Sequence, residues 1–181
     1  MKIRKEFFAR SAHIIAPKML GLKLCTMGCE GIITEVEAYE GKNDPASHAY
    51  QITSRSKLML DTYAHWYIYF VYGNHHCLNI TCGKKESGAV LIREIIPLKG
   101  IKLMQKRRGL HNTNNLTNGP GKLTQAFNIT KGWNGFQLGK KLWIEGANEV
   151  ELARLGKKKI IALPRVGIKK AKNRKWRFRL T

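Results

Sequence analysis

The chain has 181 residues, of which 43% are hydrophobic, enough for one domain with a proper core, and residues 1–181 are expected to form a single one. Its 33 basic and 12 acidic side chains leave a net charge of +21, so the expected partner is a polyanion. A membrane surface is the competing polyanion. It is disfavoured because the sequence has no long apolar run and no basic amphipathic helix with an aromatic face, and its opening, MKIRKEFFAR, is too charged for a signal peptide. A cytoplasmic protein is expected, nucleoid-associated if the cell is bacterial. Cys25, Cys29, Cys77 and Cys82 form no CxxC pair and read as reduced thiols.

In chain order, Ser11 is placed to cap a short helix that Pro17 shortens or kinks and Gly21 ends. Leu22 to Cys25 reads as a strand, Thr26 to Gly31 as a turn, and IITEVEAYEG as a second strand. A two-residue period puts Ile33, Glu35, Glu37 and Tyr39 on one face and Ile32, Thr34, Val36 and Ala38 on the other. Two carboxylates on one strand face, in a chain short of acids, then lead into a polar loop from Gly41 to His48. Three readings stay open for them: a solvated face, a general base beside a second carboxylate that tunes or positions it, or a pair of metal-binding acids.

A long polar loop made basic by Arg55 and Lys57 precedes WYIYFVYGNHHCLNITC, two aromatic and β-branched runs joined across Gly73-Asn74, which reads as a hairpin. Tyr72 sits at its apex, either folded back on the ribbon or held out as a wedge for a nucleic-acid groove. A zinc site using His75 and His76 is disfavoured, because adjacent strand residues face opposite ways. GAVLIREII has the pattern of a buried strand, interrupted by Arg93-Glu94. Arg93 could pair with Glu94 or Glu35, reach a phosphate, or hold the general base.

After Pro97, helical spacing joins Leu98, Ile101 and Met104 and stops at Gly109. NGPGK leads into the helix LTQAFNI and is either a structural turn or a phosphate contact through Lys122 and backbone N–H groups. Its spacing is not that of a nucleotide P-loop. Short strands are expected at Leu142 to Glu145 and Lys159 to Leu163. From Lys157 to Thr181 there are 11 basic residues and no acidic one, interleaved with Trp176 and Phe178. The rings are expected to pack while the charges line a nucleic-acid backbone.

EVEAYEG with DPASHA downstream, YIYFVYGNHHCLNI, GAVLIREIIP, NGPGKLTQAFNI and PRVGI follow one another in an order that resembles the alkyladenine (3-methyladenine) DNA glycosylase family, over nearly the whole chain. The resemblance implies an α+β fold with a curved, mainly antiparallel sheet, short helices and a protruding β-hairpin. It implies Glu37 as the base that activates water, with Arg93 and the backbone carbonyl of Val166 holding that water. Tyr39, His48 and Tyr69 would form an aromatic pocket around an extruded base, with Asn79 against its edge. Tyr72 would fill the gap left in the duplex, and Gly73, Asn74, Arg55 and Lys122 are expected to contact the DNA. The implied reaction is hydrolysis of the N-glycosidic bond of damaged purines in double-stranded DNA, by a monomer needing no metal or cofactor. The alternative is a nucleic-acid-binding protein of the same fold with weak or lost activity.

This pocket requires Tyr69 and Asn79 on one face. A two-residue turn would separate them, so a three-residue loop, Tyr72-Gly73-Asn74, is expected, with Asn74 left-handed beside a bulge. The chain departs from the family's usual residues at His75-His76 and at Ser56.

Overall fold

Side-chain alternation of period two gives a sheet two distinct faces, and here one packs against helices while the other forms the wall of a cleft. The computed structural model describes residues 1–71, 75–139 and 141–181. Among them the order is a 3₁₀ turn Lys5–Ala9, α1 (Ala12–Met19), β1 (Leu22–Thr26), β2 (Glu30–Glu40), a 3₁₀ turn His48–Tyr50 and α2 (Lys57–Asp61). Then come β3 (Trp66–Val71), β4 (His75–Cys82), β5 (Gly88–Lys99), α3 (Ile101–Arg108), α4 (Pro120–Phe127) and a 3₁₀ turn Lys131–Trp133. The last elements are β6 (Leu142–Gly146), α5 (Glu149–Ala153), β7 (Ile160–Leu163) and β8 (Arg177–Leu180).

The strands form one curled antiparallel sheet, β3-β4-β5-β2-β1-β6, an α+β arrangement in which β8 joins β2 to β7. One edge of β2 pairs along its length with β5; the other is divided between β1 near Ile32 and β8 at Glu35 to Glu37. On one face Ile68, Leu78, Ile80, Val90, Ile92, Val36 and Ala38 pack with Ile15 and Met19 of α1, Met104 of α3, and Leu123 and Phe127 of α4. Truncating such a buried aliphatic side chain to Ala costs about 2–5 kcal/mol, so this layer fixes the sheet from which the opposite face is built.

The simple alternation expected for β2 does not hold along its whole length. Ile33 pairs with Ile95, Glu35 with Glu94 and Val36 with Ile92, so Thr34 is extra on β2 and Arg93 is extra on β5. These opposed bulges move Ile33 to the core face with Val36 and Ala38, while Glu35 stays in register with Glu37 on the other face. Period-two reading places Ile33 wrongly because it cannot see a bulge. Leu98 also departs from its expected helical place: β5 continues to Lys99, and α3 begins only after Gly100, whose φ of +77° suits a residue without Cβ.

In the hairpin, Val71 pairs with His75, Tyr69 with Cys77 and Tyr67 with Asn79. This is the register of the odd, three-residue connection, and it puts Tyr67, Tyr69, Cys77 and Asn79 on one face. The assignments to Tyr72, Gly73 and Asn74 themselves lie outside the described residues. No helix among the described residues is long and apolar enough to cross a membrane.

Candidate active site

A single cross-strand row builds the floor of the cleft. Tyr67 on β3 lies beside Asn79 on β4, Asn79 beside Leu91 on β5, and Leu91 beside Glu37 on β2. Flanking residues of the same face, Tyr39, Ala89, Tyr69 and Cys77, add the walls, and the loops carrying His48 and Val166 close the sides. The cleft encloses about 1070 Å³, room for a flat base together with the sugar and phosphates next to it.

Glu37 is fully buried at the bottom, where an ionised carboxylate is tolerated only with donors on its oxygens. Its Oε2 accepts the Tyr39 hydroxyl at 2.8 Å, and its Oε1 accepts the Val166 N–H at 2.7 Å and lies 3.4 Å from the Arg93 guanidinium. The Tyr39 phenol is held well above its ordinary pKa by burial and by the Glu37 charge, so it remains a donor. Burial works against the Arg93 charge, but Glu37 and Glu35 more than offset it and its pKa is raised. Arg93 owes its position to the bulge in β5, which turns it toward both glutamates.

Glu35 is not a second open carboxylate. Its Oε1 accepts Arg93 Nε at 2.7 Å and lies 3.4 Å from Arg177, and its Oε2 lies 3.5 Å from Arg179, which also reaches Glu94 at 3.3 Å. Guanidinium groups occupy the space a metal between paired acids would need. Of the C-terminal arginines expected to line a DNA backbone, Arg177 and Arg179 are instead paired with carboxylates beside β2, Arg179 remaining half exposed, with Trp176 and Phe178 packed on the core. Elsewhere, Cys25, Glu30 and Glu145 lie close enough to share a cation among the described residues, but the Lys23 ammonium already sits 3.5 Å from Glu30, 3.1 Å from Glu145 and 2.8 Å from Glu151.

Above Glu37 the walls are aromatic. The rings of His48 and Tyr69 meet edge to face at 4.7 Å, and Tyr67 and Tyr69 lie 5.3 Å apart. His48 Nδ1 is 2.8 Å from the Tyr67 hydroxyl, and its pKa is lowered by burial and by Arg55, so the ring is neutral at pH 7. Burial raises the Tyr67 and Tyr69 phenols and the Cys77 thiol, keeping all of them protonated. Asn79, buried, donates through its amide nitrogen to the carbonyls of Tyr67 at 3.0 Å and Cys77 at 3.3 Å. Offset or edge-on rings with few hydrogen-bonding groups suit a planar heteroaromatic guest.

The mouth is basic. Arg55 lies 5.8 Å from the Tyr69 ring, Lys122 is held by Asn118 at 2.9 Å and Asn115 at 3.3 Å, and Lys169 and Lys170 also line the cleft. Gly121 is required where α4 meets the hairpin, since a Cβ there would stand 2.7 Å from the His75 ring. His75 thereby faces the mouth, while His76 packs on Phe70. Ser56 is buried and ties its loop together, accepting the Thr53 N–H at 2.7 Å and donating to the Gln51 carbonyl at 2.7 Å.

The structure thus brings Glu37, Arg93, Val166, Tyr39, His48, Tyr69 and Asn79 around one cleft, with Arg55 and Lys122 at its mouth. Sequence reasoning missed Tyr67, which was legible from its shared face with Tyr69, and the buried pair Asp44–Arg165, separated by 121 positions with nothing local to join them.

An aromatic slot over a buried carboxylate, opening through a basic mouth, is an arrangement that suits a DNA glycosylase. Comparison with known proteins makes this specific: the chain belongs to the methylpurine-DNA glycosylase (MPG) family, whose model matches residues 6–181. A relative from Rhodopseudomonas palustris (strain BisB18) is 41% identical over 181 residues, covering 99% of this chain and 87% of its own. Another from strain CGA009 of that species is 43% identical over 180 residues, covering 98% and 84%. One from Methanoculleus marisnigri is 39% identical over 187 residues, covering 99% and 95%. Each of these is provisionally named a 3-methyladenine DNA glycosylase.

Proposed function

We propose that this chain excises alkylated or deaminated purines, of the 3-methyladenine, hypoxanthine and ethenoadenine type, from duplex DNA in base-excision repair. The observation that carries the reading is Glu37: a fully buried carboxylate at the floor of an aromatic slot, fixed by Tyr39, Val166 and Arg93. A purine within a duplex cannot reach that depth, so the damaged nucleotide turns out of the stack into the slot. Tyr39, His48 and Tyr69 hold its faces, Asn79 lies at its edge, and Tyr72 fills the gap left behind. The N-glycosidic bond breaks with its electron pair going to the base nitrogen, leaving an oxocarbenium-like sugar that the Glu37 charge stabilises. A water held by Arg93 and the Val166 carbonyl forms the new bond to C1′ as Glu37 takes its proton. A hypoxanthine or ethenoadenine base leaves as an anion and is protonated from solvent, whereas a cationic 3-methylated adenine leaves neutral and needs no proton. The products are the free base and an abasic site. No metal, cofactor or covalent enzyme intermediate is required, and a single domain acting as a monomer supplies every group named.

The test is incubation of the protein with duplexes carrying one hypoxanthine or one ethenoadenine, in EDTA, followed by alkali. Strand breaks appearing only after alkali are expected. Breaks before alkali that EDTA abolishes would indicate a metal-dependent nuclease, and a gel shift without breaks a binding protein.

A further inference from the structure

Arg165 is 5% exposed, and both terminal nitrogens of its guanidinium are bonded, while its buried Nε has no hydrogen-bond partner among the described residues. Two of its nitrogens bond the two oxygens of Asp44 at 2.5 and 2.7 Å, and one also donates to the Ala38 carbonyl at 2.9 Å. Its central carbon lies over two rings, 4.6 Å from the centre of Tyr39 and 5.2 Å from that of Trp176. Asp44 in turn accepts the N–H groups of Glu40 at 3.2 Å and Ala46 at 3.3 Å, which shapes the loop leading to His48. The pair therefore joins three segments distant in sequence: the end of β2, the loop after it, and the 164–168 loop.

The neighbours of Arg165 bear on Glu37 in two ways. The residue after Arg165 is Val166, whose N–H holds Glu37 Oε1; the ring against Arg165 is Tyr39, whose hydroxyl holds Oε2. Val166 itself is half exposed on a loop without regular secondary structure, so its own side chain does little to fix it. A bidentate, buried guanidinium one residue away is what sets the position of its N–H.

We propose that Arg165, locked by Asp44, is a positioning residue for the reaction: it fixes both neutral donors to Glu37 and so the direction in which the carboxylate addresses water. The proposal rests on Glu37 being the general base. Arg165 reaches neither water nor substrate, so its effect is on rate and not on DNA affinity. Displacement of a reacting group by about 1 Å is worth up to a hundredfold in rate.

The test uses Arg165→Lys, which keeps a charge near Asp44 but loses the two-point bond, and the double variant Asp44→Asn/Arg165→Gln, which removes both charges together and leaves neither unpaired. Single-turnover excision from the best-cleaved of the hypoxanthine, ethenoadenine and methylated duplexes is expected to fall about tenfold to a hundredfold. Affinity for a duplex with a tetrahydrofuran abasic analogue should stay within about threefold. Amide exchange followed by NMR should speed up at Val166 while core amides such as Ile92 keep their protection.

Unchanged excision, a loss of affinity equal to the loss of rate, or unaltered exchange at Val166 would overturn the proposal. So would loss of the cooperative melt in both variants, which would assign the pair to stability alone. Glu37→Gln in the same assay separates the two levels: if it remains active, the general-base reading fails, whereas an inactive Glu37→Gln beside fully active Arg165 variants refutes only the positioning role.

Discussion

Arg93 rests on Glu35: its Nε donates to Glu35 Oε1 at 2.7 Å while another of its nitrogens lies 3.4 Å from Glu37. The two glutamates thus divide the work, one holding the guanidinium and the other facing the cleft. Glu37→Gln should lose about two to four orders of magnitude in single-turnover excision, the usual worth of a general base, with duplex binding retained. Glu35→Gln keeps the shape but weakens the hold on Arg93 and leaves Arg177 and Arg179 less well neutralised. It should cost about tenfold to a hundredfold, the scale of a misplaced group. Equal losses in the two variants would contradict this division of roles.

How the carboxylates are arranged marks what the sequence could reveal. Spacing put Glu35, Glu37 and Tyr39 on one face because that depends only on a two-residue period, whereas Tyr69 and Asn79 were joined through the pocket the family resemblance implies, which selected the three-residue loop and its register. Ile33 and Arg93 depend on a bulge, which adds a residue without any local sign. The C-terminal arginines read as a free surface run because charge runs usually are; Arg177 and Arg179 meet carboxylates because β8 borders Glu35. Asp44–Arg165 lay beyond reach for the same reason that it matters, since it closes contacts across most of the chain. His48, Tyr69 and the order of the motifs needed the family resemblance, as no spacing rule joins a loop histidine to a strand tyrosine.

The buried amide of Asn79 is pinned by carbonyls of both hairpin strands, so it cannot swing aside for a larger guest. Hypoxanthine and guanine differ only by guanine's two-amino group, and the bound edge must tell them apart. Crowding and an unpaired buried amine should disfavour guanine by about 1–3 kcal/mol. Asn79→Gly should release normal guanine slowly from duplex DNA while hypoxanthine excision survives. Background guanine release from a folded, hypoxanthine-active variant would show that Asn79 is not the gate.

His48 supplies a pH signature. Its folded pKa is lowered, by burial first and by Arg55 second, relative to an unfolded value of about 6.5. Below that value the unfolded chain binds a proton that the folded chain resists, so stability falls as pH drops from about 6.5 to the folded pKa; above 6.5 nothing is lost. His48→Gln removes this titration. Urea midpoints measured at pH 7.5, 6.5 and 5.5 should decline more steeply in the wild type than in the variant over the lower interval, and parallel declines would assign the pH dependence to other groups.

Lys169 and Lys170 line the same cleft as Lys122, with no acidic residue in their stretch of sequence to neutralise them. A chain of net charge +21 should bind duplex DNA with an affinity that falls steeply and log-linearly with salt, since each neutralised phosphate releases counterions. A lysine that meets a phosphate contributes about one unit to that slope, whereas a lysine that merely adds to the general field changes affinity with little change in slope. Lys169→Ala and Lys170→Ala should each weaken binding to damaged and undamaged duplexes alike and reduce the slope by about one. The contrast with Arg179, half exposed yet paired with Glu35 and Glu94, is the control. Its substitution should disturb excision through Glu35 and leave the slope unchanged. Should Arg179→Ala flatten the salt dependence as much as the two lysine variants do, Arg179 would be a phosphate contact rather than a partner held by Glu35 and Glu94.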